Sequence, residues 1–388
     1  MKRRDFLQAG AAATLLAPQH VLGANDRVRV ALIGAGGRGR SVTRQAREAP
    51  NVEVVAVSDV YIPRREQAAQ ELGEAAKPAK DYRDILGRKD IDGVIIATPD
   101  HWHTPMILEA ISAGKDVYCE KPVTQRLDEG DKLIAGVESS KQVVATGTQQ
   151  RSWDHYLAAK EIIDAGELGQ ITFVETWWYQ NYLTSKDPGE IDVSQLDWEQ
   201  WLGTRPKQPF DAMKFRRWRF FWDFGGGIFT DLLTHWIDVV QWYMNSPAIE
   251  RVQASGSTHA TTWLESPDTV TATILYPQNY TVLYHSSMVG ALEGGGIIFR
   301  GGKAMLKLTR DGYALYPEGV VRAEFTNLPE PFKKMEQTGD GTKANVANWI
   351  DCIRSRKTPN AHIRAGVEAA RTSHLANVAL RQEKIVRS

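Results

Sequence analysis

The sequence predicts an α/β protein in two folded parts: an N-terminal open parallel sheet alternating with helices, and a C-terminal α+β domain with a large, mostly antiparallel sheet. Three observations carry this. Apolar runs of strand length alternate with helical patterns up to residue 150. Beyond that the pattern changes to long segments rich in β-branched and aromatic residues, separated by turn residues. The chain has 388 residues, enough for two to three domains. The boundaries drawn are 25–150, 151–340, and 341–388 for closing helices that return to the first domain.

Composition narrows the class. Lys+Arg and Asp+Glu are both 47, so the formal net charge is zero, and 42% hydrophobic with 24% charged residues is an ordinary globular balance. The chain lacks the cationic excess needed to grip nucleic-acid phosphates. Two cysteines, Cys119 and Cys352, make no disulfide framework. Twelve Trp are a weak pointer to a carbohydrate, because aromatic faces stack on sugar C–H faces; core filling explains any single Trp at least as well.

Met1 to Ala24 reads as an address. Lys2-Arg3-Arg4-Asp5-Phe6-Leu7 precedes a mild apolar run, Ala9 to Pro18, which is too short for a stable membrane anchor. The paired Arg before Phe-Leu resembles a twin-arginine export signal, with Gly23 and Ala24 offering a cleavage point. A soluble, periplasmic protein exported folded is the expectation.

Val28 to Ile33 is a strand-length apolar run leading into Gly34-Ala35-Gly36-Gly37-Arg38-Gly39, a G-x-G-x-x-G pattern. Arg40 to Glu48 has helical composition, Val52 to Ser58 is a second strand, and Asp59 closes it. This is the βαβ context of a Rossmann dinucleotide site. Gly34 permits the tight turn, Gly36 lets backbone approach a pyrophosphate, Gly39 allows close helix packing, and the helix start stabilises the anion. Asp59 suits ribose hydroxyls, which favours NAD; Arg64 and Arg65 nearby keep NADP open. Ala68 to Glu74 reads as helix, Asp90 to Ala97 as strand, Pro105 to Ala113 as helix and Asp116 to Cys119 as strand. The clusters Thr98-Pro99-Asp100-His101-Trp102-His103 and Glu120-Lys121-Pro122 then fall at strand ends, where the nicotinamide belongs. Lys121 near a charged nicotinamide suits proton transfer; a surface Lys paired with Glu120 is the plainer alternative.

The G-x-G-x-x-G start, the Thr98-Pro99-x-x-x-His103 turn and Glu120-Lys121-Pro122 together resemble the glucose-fructose oxidoreductase, inositol dehydrogenase and rhizopine catabolism (Gfo/Idh/MocA) superfamily. The resemblance extends over nearly the whole chain after the signal.

In the second domain His155 to Ala165 reads as a helix. Ile171 to Tyr179, Ile249 to Ser257, Thr269 to Tyr276, Tyr280 to Met288 and Ile297 to Leu308 read as strands, with Pro277-Gln278-Asn279 as a tight turn. Strict alternation in Thr269 to Ile274 buries one face only. The other face invites self-association, and the resemblance implies a homo-oligomer through it. Asn345 to Ser355 and Ala365 to Arg381 read as the final helices.

Trp218 to Gly227 ends in three glycines before a helix, Ile228 to Met244. Asp231 and His235 are four apart, so they share a helix face and pair, with Asp238 on the same side. Pattern alone allows a purely structural pair; the resemblance implies a catalytic D-x-x-x-H. A metal on Asp231, His235, Asp238, His101 and His103 is disfavoured, because no tight ligand spacing exists. The predicted chemistry is hydride transfer between NAD(P) and a secondary alcohol of a sugar, glycoside or cyclitol. His235 would take the hydroxyl proton, Asp231 orient it and Lys121 bond the reacting oxygen. Trp102, Arg151, Tyr179, Trp218 and Arg219 are cofactor or sugar contacts by neighbourhood. Since the periplasm offers no obvious free NAD(H), a retained, internally recycled cofactor is expected. A redox-neutral NAD-dependent glycosidase and a non-catalytic sugar-binding protein are the alternatives; Glu120-Lys121-Pro122 argues against the first and the intact Lys121, Asp231 and His235 against the second.

Overall fold

The computed structural model of the chain describes residues 27–181, 186–318 and 329–388. The segment read as an export signal lies outside them.

β1 (Val28–Ile33) and β2 (Val52–Ser58) have the predicted bounds, being β-branched runs buried from both sides. Between them α1 (Gly37–Arg47) begins on the glycine fingerprint itself. α2 (Ile62–Leu72) starts six residues before the predicted helix, because Pro63 is accommodated in its first turn. β3 (Lys77–Ala79), α3 (Tyr82–Leu86), β4 (Gly93–Ile96), α4 (His103–Ser112), β5 (Asp116–Cys119), α5 (Gly130–Glu138) and β6 (Val144–Thr146) complete the domain. The parallel sheet runs β3-β2-β1-β4-β5-β6. Strand order therefore reverses between β1 and β4, which opens a crevice at their carboxyl ends.

α6 (Asp154–Asp164) leads into β7 (Ile171–Tyr179). The long connection after β7 carries α7 (Trp198–Leu202) and α8 (Ala212–Arg217), and a π-helical stretch, Phe229–Leu233, opens into α9 (Thr234–Tyr243). Then come β8 (Arg251–Ser257), β9 (Thr269–Tyr276), β10 (Tyr280–Ser287), β11 (Gly295–Gly301), β12 (Ala304–Thr309), β13 (Gly312–Pro317) and β14 (Lys333–Glu336). α10 (Gly341–Ser355), α11 (Ile363–Gln382) and β15 (Val386–Arg387) close the chain. Among the described residues the second sheet has nine strands, ordered β14-β13-β12-β11-β7-β10-β9-β8-β15. Only β7 and β10 pair in parallel; the other neighbours are antiparallel. The stretch Ile297–Leu308 is two strands rather than the predicted one. The chain reverses after Gly301, where backbone packs so closely that a Cβ would lie 2.2 Å from the Leu168 carbonyl oxygen.

β10 alternates buried and half-buried residues, and α9 covers the buried face. Trp236, Ile237 and Val240 of α9 share one core with Ile274, Val282 and Tyr284. The closing helices pack back onto the first domain. Trp349 and Ile350 of α10 join Val30 and Tyr118 in the first domain, while α11 places Ile363 and Val367 in the first domain and Ala369 and Ala376 in the second. This one helix buries residues in both cores, and so fixes the crevice against the sheet.

Candidate active site

The glycines of the fingerprint divide into two kinds. Gly34 has φ +91° and a Cβ there would sit 2.7 Å from the Ala97 backbone; one on Gly39 would sit 2.1 Å from the Gly34 oxygen. Both are packing requirements. Added Cβ atoms on Gly36 and Gly37 would meet nothing within 4 Å, and both residues line a cleft at the start of α1, whose N-cap Gly36 offers no side chain to the free N–H groups. This is a cradle for a pyrophosphate. Asp59 lines the same cleft; its Oδ2 accepts from the Ala35 N–H at 2.7 Å and its Oδ1 from the Tyr61 N–H at 2.9 Å. Arg38, Thr98, Pro99, Trp102, Trp218 and Arg219, expected as cofactor contacts, line it too. Arg64 also faces it, with its guanidinium 4.7 Å from the Phe215 ring. The second domain contributes Gln200, Trp201, Phe215 and Arg216, which no sequence pattern indicated. Trp102 is fastened to that domain: its Nε1–H donates to the Trp201 carbonyl at 2.9 Å.

A second cavity adjoins the cleft and shares Arg38, Ala97, Thr98, Trp218 and Arg219 with it. Lys121, Glu120, Asp231, His235 and His103 line it. Lys121 Nζ donates to Asp231 Oδ1 and to the Asp231 carbonyl, both at 2.7 Å, and Arg219 Nε donates to the same carboxylate at 3.2 Å. Burial pushes the Asp231 carboxyl up, but Lys121 and Arg219 pull it below its ordinary value. Glu120 accepts from Arg38 Nε at 2.8 Å. The ring of His103 lies between the carbonyls of Pro122, 2.6 Å, and Thr98, 2.9 Å, so it ties together the two turns that carry Thr98 and Lys121.

His235 departs from the prediction. Its Nδ1 is buried without a partner, and its ring stacks on Trp178, centroids 5.6 Å apart at 25°. The expected Asp231–His235 pair does not form. The intervening turn is π-helical, which breaks the i,i+4 alignment of an α-helix, and Asp231 is engaged by Lys121 and Arg219 instead. Burial first, then the positive charge of Lys121, lowers the His235 pKa well below that of a free imidazole. The ring is therefore neutral near pH 7, with an unprotonated nitrogen but weaker basicity than a free imidazole.

Two predicted substrate contacts are corrected. Arg151 is turned into the core, where its Nε meets both Asp238 oxygens at 2.8 and 2.9 Å and its guanidinium lies 5.3 Å from the Trp242 ring. That pair also removes Asp238 from the site. Tyr179 projects to the face of the sheet away from α9, and its hydroxyl meets His285 Nδ1 at 2.8 Å. Its neighbour Trp178 lines the cavity instead, as the two-residue period of a strand requires. Gln149, Trp178 and Arg310 are cavity residues that the sequence reading missed.

Two family models match the chain. "Oxidoreductase family, NAD-binding Rossmann fold", Gfo/Idh/MocA, covers residues 28–148, and the Gfo/Idh/MocA C-terminal domain covers 156–307. The chain belongs to the Gfo/Idh/MocA oxidoreductase family. It is 27% identical over 226 residues to the uncharacterised oxidoreductase YrbE of Bacillus subtilis, covering 58% of this chain and 56% of that protein. It is 31% identical over 182 residues to inositol 2-dehydrogenase of Salmonella typhimurium, covering 45% of this chain and 54% of that one. The chain thus spans about half the length of the curated relatives it matches. The fold is that of levoglucosan dehydrogenase, solved with NADH and levoglucosan: TM-score 0.74, 18% identity, 93% of this chain and 99% of that one. The dinucleotide cleft of this family member is accordingly an NAD site, which the open cradle at Gly36 and Gly37 and the carboxylate of Asp59 fit.

Proposed function

We propose that this oxidoreductase transfers a hydride between NAD and a secondary alcohol carbon of a sugar, glycoside or cyclitol. One observation carries the reading: a Lys121–Asp231 pair and a neutral, unpaired His235 line a cavity that opens into the dinucleotide cleft through five shared residues. The names of the inositol and levoglucosan dehydrogenases support the substrate class. Bound NAD supplies the hydride acceptor in its nicotinamide ring.

The chain's own groups divide the proton chemistry. Lys121 uses two of its three N–H bonds on Asp231 and keeps one for the reacting oxygen. His235 has no hydrogen bond among the described residues, and with Nδ1 buried its Nε2 is the nitrogen that faces the cavity. His235 is therefore the proton acceptor and Lys121 the hydrogen-bond donor; Asp231 positions Lys121 rather than the histidine.

Export follows from the paired arginines at Arg3 and Arg4, and we extend the proposal to a folded, periplasmic protein that carries its cofactor with it. The roof of second-domain residues over the cleft, from Gln200 to Arg219, supports retention. No helix among the described residues is long and apolar enough to cross a membrane. The open sheet face, with Glu175, His285 and Arg300, is the surface proposed for self-association. The test is to express residues from Asn25 onward, dialyse extensively, denature and quantify released dinucleotide. Near-stoichiometric NAD supports a retained cofactor, and an empty protein that binds NAD reversibly removes retention from the proposal.

A further inference from the structure

The cations lining the reaction cavity are Arg38, Lys121, Arg219 and Arg310, against the carboxylates Glu120 and Asp231. Three of the four are held. Arg38 bonds Glu120, while Lys121 and Arg219 share Asp231. Arg310 is the exception. It sits on the turn between β12 and β13, with its guanidinium 4.6 Å from the Trp178 ring, the same ring that stacks on His235. Its Nε is buried without a hydrogen-bond partner, and among the described residues no carboxylate lies within ion-pair distance of it.

Arg310 as a whole is half-buried: its Nε is shut away from water with no partner while the residue still borders the cavity, and a ligand that brings an anion there offsets that cost. Sugar hydroxyls are neutral acceptors and offset it poorly. A carboxylate matches the planar fork with two parallel hydrogen bonds. Because Trp178 touches both Arg310 and His235, the anion and the reacting hydroxyl lie within reach of one small molecule.

We infer that the substrate is a sugar acid, an aldonate or uronate, whose carboxylate is read by Arg310; this rests on the proposed reading of the site as a dehydrogenase of sugar-like alcohols. Arg310 is a specificity residue, set apart from the Lys121–His235 pair that handles the proton.

The experiment uses the full chain. NADH binding is titrated first by its fluorescence, and then gluconate, glucuronate, glucose and glucose 6-phosphate are titrated into the NADH-loaded protein. One of the two acids is expected to bind at least about tenfold tighter than glucose. That acid-over-glucose ratio is expected to fall about 30-fold in Arg310→Gln and by a smaller factor in Arg310→Lys, which keeps the charge and loses the fork. NADH titration of each variant establishes that it is folded. Glucose binding as tightly as both acids, a stronger response to the phosphate than to either acid, no binding of the acids, or an unchanged ratio in Arg310→Gln each overturns the inference. Failure of the wild-type chain to bind NADH is a different result: it overturns the dehydrogenase reading and this inference with it.

Discussion

Asp231 and Asp238 stand seven residues apart on one buried helical segment, each paired with cations, yet only one belongs to the reaction cavity. Asp238 meets one arginine, whose Nε spans both carboxylate oxygens while Trp242 lies against the guanidinium. Nothing in that pair faces a ligand. Asp231 meets two cations, Lys121 and Arg219, and both also line the cavity. Burial drives both carboxyls upward; two cations bring Asp231 below the usual value, while the single Arg151 leaves Asp238 above it. A buried charge pair therefore does not mark a catalytic group. What distinguishes Asp231 is that its partner Lys121 spends two N–H bonds on it and lines the cavity with a third.

The sharpest way to break this contrast is to remove the cation on each side. Lys121→Ala should cost about 10³ to 10⁴ in kcat/KM while NADH still binds. Turnover within a few-fold of wild type would take Lys121 out of the chemistry. Arg151→Met should act on the other axis, costing about 3–5 kcal/mol of stability because it strands Asp238 in the core; denaturant unfolding measures it. A large drop in kcat with unchanged stability would return Arg151 to the site.

His235→Asn sharpens the division of labour. A loss of about 10² to 10³ in kcat is expected, with wild-type activity otherwise showing no decline from histidine protonation as pH falls from about 7 to 6, since the His235 pKa is depressed. An acid limb near the ordinary histidine pKa that Asn abolishes would contradict a buried, neutral ring.

The smallest effect separates the two carboxylates by pH. Asp231 is depressed in the folded state, so its stabilisation is present above the unfolded value of about 3.9 and is lost as pH falls through the folded one. Asp238 is raised, so the native state takes up its proton first and acidification favours folding there. Between about pH 5 and 3, Asp231→Asn should therefore flatten the decline of Tm, and Asp238→Asn should steepen it. Slopes that shift in the same direction would undo the contrast.

The fold was legible wherever segments were long and uninterrupted. β1, β2, β7 and β9 have the predicted bounds because runs of Val, Ile, Thr and aromatic residues admit few alternatives. β3, β6 and the five-residue α3 carry too few residues to show a period. In the site, Asp59 and the glycine cradle were readable because each sits in a local motif whose backbone context fixes its place, whereas Lys121, Asp231 and His235 stood out only through the family resemblance. Arg310 has no such motif: it lies on the two-residue turn between β12 and β13, and only the packing of these strands against β11 and β7 carries it to Trp178. Trp178 and Tyr179 show the same limit, since alternation says that they face opposite ways but not which of them faces α9.

By itself the sequence determined the βαβ dinucleotide site and the two-domain order, because each depends on residues a few positions apart; it marked Lys121, Asp231 and His235 as candidates only through the family resemblance. Tertiary structure alone decided who partners whom. The π-helical turn at Phe229–Leu233 separates Asp231 from His235, and Lys121, 110 residues away, takes the carboxylate that spacing had assigned to the histidine. Helical periodicity places side chains on a face; only the assembled interior sets the distances and the competing charges that choose among them.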